Sequence, residues 1–239
     1  MKRLLCAVCI ATVALTMGGV DAFAQDKSAF GAIDLYSHYI WRGQKLSGDW
    51  VLQPSAGFQY GQFAASLWAN YDTDTDEHTE TDLTLSYFFD WREFGFEVGY
   101  IYYGLDSESD TQELFGTVVL KNIFLTPTFT MYLDFDEGDG LYFEGAVSYA
   151  HQLPRDLTLE LGALVSFNVE NETTGTFSNF NTGELKASLT VPIYQDFTLT
   201  PVLGYSFPLS DQAKDRLRDK SSDGDSSHLY AGFSFSVDF

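Results

Sequence analysis

The residues able to do chemistry in this chain are mostly acids, and they recur at alternating positions. Asp34, His38 and Arg42 share one face of an extended segment, with Tyr36 between them, because side chains two apart point to the same side of a strand. Asp82, Glu97, Glu113, Asp134, Glu144, Glu160, Glu184 and Lys186 take the polar face of later segments. Carboxylates outnumber cations in this set. Such groups can line an aqueous path that favours cations. They can also pair internally, Arg42 and Lys186 with neighbouring acids, and fill a solvated interior that conducts nothing. Hydrolysis is a poorer reading, because a serine nucleophile needs a histidine base within hydrogen-bond reach. The histidines number four, His38, His78, His151 and His228. His38 has no serine partner on its own face, and Ser37 points the other way. No G-x-S-x-G, H-E-x-x-H or phosphate-loop pattern occurs. Neither an enzyme nor a cofactor is expected.

Two oxygen-rich stretches are weak candidates for a hard divalent cation. One spans 72–82 and includes Asp72, Asp74 and Asp76; the other is 134–139. Neither places the glycine and the distal glutamate of a calcium loop, so solvated acidic loops are the simpler expectation. A later stretch gathers Lys214, Arg216, Arg218 and Lys220. It reads as a mixed-charge loop, with inward folding toward an acidic mouth as the other option.

The elements that must carry these groups are strands. Alternating runs lie near 30–42, 51–60, 63–71, 81–89, 94–103, 111–120, 125–135, 141–152, 157–168, 183–193, 197–208 and 228–239. Each is near the length of a tilted strand that crosses a bilayer. On 197–207, Phe197, Leu199, Pro201, Leu203, Tyr205 and Phe207 oppose Thr198, Thr200, Val202, Gly204 and Ser206. The connections alternate strictly. Five are short, at 61–62, 90–93, 121–124, 154–156 and 194–196. The others, 43–50, 72–80, 104–110, 136–140, 169–182 and 209–227, are mostly longer and acidic. A soluble β-sandwich has no need of that alternation. It predicts an all-β chain, a transmembrane antiparallel up-and-down β-barrel of about twelve strands, with short periplasmic turns and long outer loops. A charge facing lipid at mid-depth costs a few kcal/mol, so the ionisable face must be the inner one. Tyr60, Tyr71, Tyr87, Phe89, Tyr100, Tyr102 and Tyr103 suit interfacial girdles. Pro54, Pro127, Pro192 and Pro201 fall within strands and predict bulges or weakened pairing there.

Both ends of the sequence agree. Leu229, Ala231, Phe233, Phe235, Val237 and Phe239 form one greasy row, and the chain stops on an aromatic. This resembles the closing strand and terminal assembly signal of a bacterial outer-membrane barrel, with Phe239 as the signal residue. At the start, Lys2 and Arg3 precede an apolar run and Ala22-Phe23-Ala24. That layout predicts a signal peptide over 1–24, cleaved after Ala24, and a single barrel domain over 25–239. Cys6 and Cys9, the two cysteines, both lie in the leader, so no disulfide framework is expected. The formal charge of −21 makes nucleic acid an improbable partner, since phosphates would be repelled.

The first third carries a narrower resemblance. Ser37-His-Tyr39-Ile-Trp-Arg42-Gly43, Ser47, Pro54, Gln59-Tyr60, Trp68-Ala-Asn70, Thr81-Asp82-Leu83 and Val98-Gly-Tyr-Ile-Tyr-Tyr103 are similar to the TorF-type porin family. Ala69 stands where that pattern has serine. The resemblance covers about residues 30–104 and implies an outer-membrane barrel with a transport role and no catalytic residues. The resulting expectation is a porin-like channel in a Gram-negative outer membrane, passing small solutes or ions and preferring cations. The alternative is a non-conducting barrel that acts through its acidic loops. Expected partners are outer-membrane lipid and lipopolysaccharide, the barrel-assembly machinery, and the solutes themselves.

Overall fold

A computed structural model of the chain describes residues 27–239. The expected signal peptide lies outside the described residues. Twelve long strands form a closed antiparallel barrel. They are β1 (Lys27–Tyr36), β4 (Val51–Tyr60), β5 (Phe63–Asp72), β6 (Glu77–Trp91), β7 (Phe94–Leu105), β8 (Thr111–Leu120), β9 (Thr126–Asp134), β10 (Gly140–Gln152), β11 (Thr158–Val169), β12 (Ser178–Tyr194), β13 (Phe197–Pro208) and β14 (His228–Asp238). Each pairs with its sequence neighbour, and β1 closes against β14 with Tyr36 opposite Gly232 and Phe30 opposite Asp238. Two short strands, β2 (Ile40–Trp41) and β3 (Gln44–Lys45), make a separate hairpin after β1. One helix, α1 (Asp211–Lys220), interrupts the loop before β14.

Closure removes every sheet edge, so each strand finds backbone partners on both sides. The period of two then splits the side chains. Ile33, Phe58, Leu67, Leu161, Leu203 and Phe233 are exposed on the outer wall, where a soluble protein would bury them. Their partners in alternation turn inward. Room inside is made by setting rings against glycines on the next strand. A Cβ on Gly232 would sit 2.3 Å from the Tyr36 ring, and one on Gly204 would sit 2.1 Å from the Tyr230 ring.

The short connections all lie at one end, which also holds Lys27 and Phe239; Ala29 and Phe239 exchange backbone hydrogen bonds there. The other six connections lie at the opposite end, here the loop end; 37–50, 170–177 and 209–227 are long, whereas the expected 72–80 loop shortens to a turn over 73–76 because β6 begins at Glu77. Several boundaries depart from the alternation pattern. The first strand stops at Tyr36 rather than running to residue 42, while β6 and β12 extend past the expected 81–89 and 183–193. Among the strand prolines, Pro192 sits at a register shift between β12 and β13, and the β4–β5 pairing is interrupted around Pro54. Pro127 and Pro201 keep their register, opposite Val147 and Phe233. Tyr103, expected in the outer girdle, faces inward and is buried.

Candidate functional site

The lumen has two halves. Toward the turn end its wall is built from small polar residues. Ser55, Ser66, Thr84, Ser148, Ser188 and Thr198 face in and stay partly exposed, as do Glu160 and Lys186 a little further in. Toward the loop end the inward residues are buried: Asp34, Asp82, Glu113, Asp134, Glu144 and Glu184 among them, with Glu97 buried lower on β7. What buries the upper half is chain from three long loops, folded into or across the mouth.

The first is the 37–50 hairpin. It turns at Arg42 and Gly43, both with positive φ (47° and 86°). Glycine is required at 43. A Cβ there would lie 2.2 Å from Thr182 Cγ2 and 3.2 Å from Leu217 Cδ1, in a backbone conformation L residues disfavour. Arg42 accepts its left-handed backbone because its side chain is held so fully. Both terminal nitrogens donate to Glu113 on the far wall, Nη1 to Oε1 and Nη2 to Oε2, each at 2.8 Å. The guanidinium also lies 4.6, 4.8 and 4.3 Å from the ring centres of Trp41, Tyr132 and Tyr142. Bidentate pairing and ring stacking are what a planar guanidinium does and an ammonium cannot. Tyr103 donates a further hydrogen bond to Glu113 Oε2 at 2.9 Å. Asn181 Nδ2 donates to the Arg42 carbonyl at 3.1 Å, which fixes the hairpin tip against β12.

The second element is α1. Ser210 caps it by accepting the Ala213 N–H at 3.2 Å. Ala213 and Leu217, one helical turn apart, are fully buried and seat the helix on the hairpin and barrel rim. Of the four cations at 214–220, Arg216 folds inward. It donates from Nε to the Thr174 carbonyl at 3.1 Å and from Nη2 to the Glu172 carbonyl at 3.0 Å. This ties α1 to the third element, the 170–177 loop, which also accepts a hydrogen bond from Gln44 through the Thr173 carbonyl.

A clasp joins the hairpin to the chain after α1. Lys45 N–H donates to Ser221 Oγ at 3.1 Å, and Lys45 Nζ donates to Asp223 Oδ2 at 2.9 Å. Ser222 N–H donates to the Lys45 carbonyl at 2.9 Å, and Ser222 Oγ to the Ser47 carbonyl, also at 2.9 Å. Partial burial pushes the Asp223 carboxyl up, but the hydrogen bonds from Lys45 and the Asp225 N–H hold it below the usual carboxylate range. Ser221 Oγ lies 3.1 Å from His228 Nε2, and His228 Nδ1 lies 3.8 Å from Asp223 Oδ2. The order serine–histidine–aspartate has the connectivity of a nucleophile relay. Its geometry is that of a fastener: the Asp–His gap exceeds a hydrogen bond, Ser221 is buried, and its oxygen already accepts from Lys45.

The anticipated residues therefore fall into groups. Asp34, Asp82, Glu97, Glu113, Asp134, Glu144, Glu160, Glu184 and Lys186 all turn inward from strands. Asp134 accepts the Thr111 hydroxyl at 2.9 Å, and Glu144 that of Tyr132 at 3.4 Å. His38 and Arg42 were expected on the inner face of the first strand, beside Asp34. They lie instead beyond its end, in the hairpin, and Arg42 meets Glu113 across the barrel. Asp72 is buried and accepts the Asp74 N–H at 2.8 Å, while Asp76 pairs with the Tyr71 hydroxyl. Among the described residues no three His, Cys, Asp or Glu side chains converge as a metal ion would require. Phe239 is exposed at the turn end. Lys45, Ser221 and Asp223 carry no motif in the sequence, and His228 stands out there only as one of four histidines. The closest signal was the run Ser221-Ser-Asp223 a few residues before His228.

No family model matches the chain, and no curated protein matches it. Solved structures do. A KdgM porin has a TM-score of 0.54 at 10% identity, covering 89% of this chain and 98% of that one. The KdgM porin in complex with disordered oligogalacturonate gives the same values. A NanC porin has a TM-score of 0.51 at 10% identity, covering 90% of this chain and 99% of that one. At such identity the likeness shows the fold, a closed antiparallel β-barrel.

Proposed function

We propose that the chain is an outer-membrane channel of the small-porin kind that passes small solutes or ions, prefers cations, and is held here with its outer mouth plugged. The loop end faces outward and the turn end faces the periplasm, the usual layout of such barrels. The observation that carries the reading is the divided lumen: a polar, partly solvated half that leads up to a plug of folded loops. A barrel filled only for strength would need no such half. The cation preference rests on charge. Arg42 is neutralised by Glu113, which leaves Lys186 against Asp34, Asp82, Glu97, Asp134, Glu144, Glu160 and Glu184. A field of that sign concentrates cations and repels anions. KdgM has been solved with oligogalacturonate, a polyanion. The acid excess of this lumen disfavours a solute of that charge and favours small cations or neutral molecules. The reading keeps outer-membrane lipid, lipopolysaccharide and the assembly machinery as partners, with Phe239 as the assembly signal. The TorF-type resemblance of residues 30–104 points the same way.

The test is the reversal potential of the purified barrel in a planar bilayer under a salt gradient. A potential on the cation side is expected. Joint Glu97→Gln, Glu144→Gln and Glu160→Gln substitution should move it toward the anion side. The effect should fade as salt rises, because the Debye length falls from about 10 Å at 0.1 M to about 3 Å at 1 M. Anion preference in the unaltered protein would overturn the charge argument. Absence of conductance at every voltage and pH, with the hairpin anchor intact or removed, would leave a non-conducting barrel that acts through its loops.

A further inference from the structure

The plug is assembled at a polar cost that is concentrated around it. Among the described residues, the buried side-chain polar atoms without a hydrogen-bond partner are Asp34 Oδ1, His38 Nδ1, Trp68 Nε1, Asp82 Oδ1, Asn168 Oδ1, Asn171 Nδ2, Thr174 Oγ1 and Asn181 Oδ1. These belong to the hairpin, to the upper wall beneath it, or to the 168–181 segment that joins it. Trp68, for one, lies 5.5 Å from the Tyr39 ring of the hairpin. Withdrawing the plug would return them to water, so the seated state is offset by a penalty that the unseated state lacks.

His38 stands where that balance can be tipped. It belongs to the hairpin that also carries Lys45 and Asp49; Lys45 Nζ reaches Asp223 at 2.9 Å and His228 Nδ1 lies 3.8 Å from the same carboxylate, so the charges of all four act on His38. His228 in turn faces Lys45, Asp223 and Asp225, with Ser221 on its Nε2. A neutral His38 needs one donor and one acceptor; a protonated one needs acceptors for both ring nitrogens. Its buried Nδ1 has no partner. A proton there would leave an unpaired buried N–H and add a second cation to the hairpin that already carries the Lys45 ammonium. We propose that the hairpin is an acid-released gate: protonation of His38, on the hairpin that the Lys45–Asp223 clasp holds down, frees the 37–50 segment from the mouth.

The sign follows from linkage. Burial first, then Lys45 and His228, hold His38 below the ordinary histidine range in the seated state. The released, solvated histidine returns to about 6.5. The released state therefore binds more protons, and seating is weakened as pH falls through that window.

This inference names the regulation of the channel proposed above and rests on that reading, so its test uses a readout that does not need conduction. The described residues contain no cysteine, so a cysteine at buried Gln44 can be labelled with a water-soluble thiol reagent, normalised to one at exposed Thr75. Relative labelling at 44 should rise by up to about tenfold per pH unit below pH 6.5 for release coupled to one proton. In His38→Gln the rise should disappear, and channel opening at pH 5 should fall with it. Labelling at 44 that ignores pH, or an acid response that survives His38→Gln, overturns the gate even in a barrel that conducts. Acid-dependent labelling without current at any pH upholds the gate and removes the channel.

Discussion

At the scale of the residue, Arg42 is tightly constrained, because a fork of hydrogen bonds, three aromatic rings and a left-handed backbone meet on it. Truncation in Arg42→Ala would leave Glu113 buried and uncompensated, a cost of about 3 kcal/mol. The variant should melt at lower temperature than the unaltered barrel and spend more time open in bilayer recordings. Arg42→Lys should fall between them, since an ammonium keeps the charge and loses the fork. Unaltered melting and conductance in Arg42→Ala would show that the pair holds nothing in place. Arg42 was visible in the sequence as an inward cation, but its partner was not. Alternation assigns a face to a residue and says nothing about which wall a reversed chain will reach. The break after Tyr36 left no proline or glycine until Gly43, so the strand pattern ran on through residues that in fact turn back.

The elements of the plug depend on one another. A helix of ten residues is marginal alone, and α1 owes its persistence to the Ser210 cap and to Ala213 and Leu217 beneath it. Leu217→Ala should cost about 2–4 kcal/mol of local stability. The expected result is faster amide exchange in 211–220 and in the hairpin tip around Gly43, with the barrel strands unchanged. Exchange that quickens in α1 alone would mean that hairpin and helix are not coupled. The helix was hard to read because its charges dominate the composition and its apolar stripe is two residues wide. The strands were easy for the opposite reason: each repeats its alternation over about ten residues, with a turn signal at both ends.

For the whole molecule, the alternation of short and long connections carried the topology from sequence to barrel without help from any single residue. It also predicts the orientation. Cysteines at Thr75 and Asn122 are both on exposed connections at opposite ends. In intact cells a membrane-impermeant reagent should label position 75 and spare position 122. The reverse pattern would invert the barrel relative to the proposed orientation and put the plug on the periplasmic side. The charged lumen was legible to the same degree, since inward carboxylates follow from the pattern of two. The plug was not, because loops obey no period and their resting place is set by contacts between segments far apart in the chain.

One such contact reaches beyond gating. The clasp joins Lys45, just after the first barrel strand, to Ser221 and Asp223, just before the last. Those two strands are the ones that meet when the cylinder closes. An open sheet would hold the two halves of the clasp on opposite margins, so the fastener cannot form until the final seam does. Closing the cylinder and seating the plug thus become a single event. A half-built barrel carries no stopper, and a finished one carries it from the moment its last seam forms.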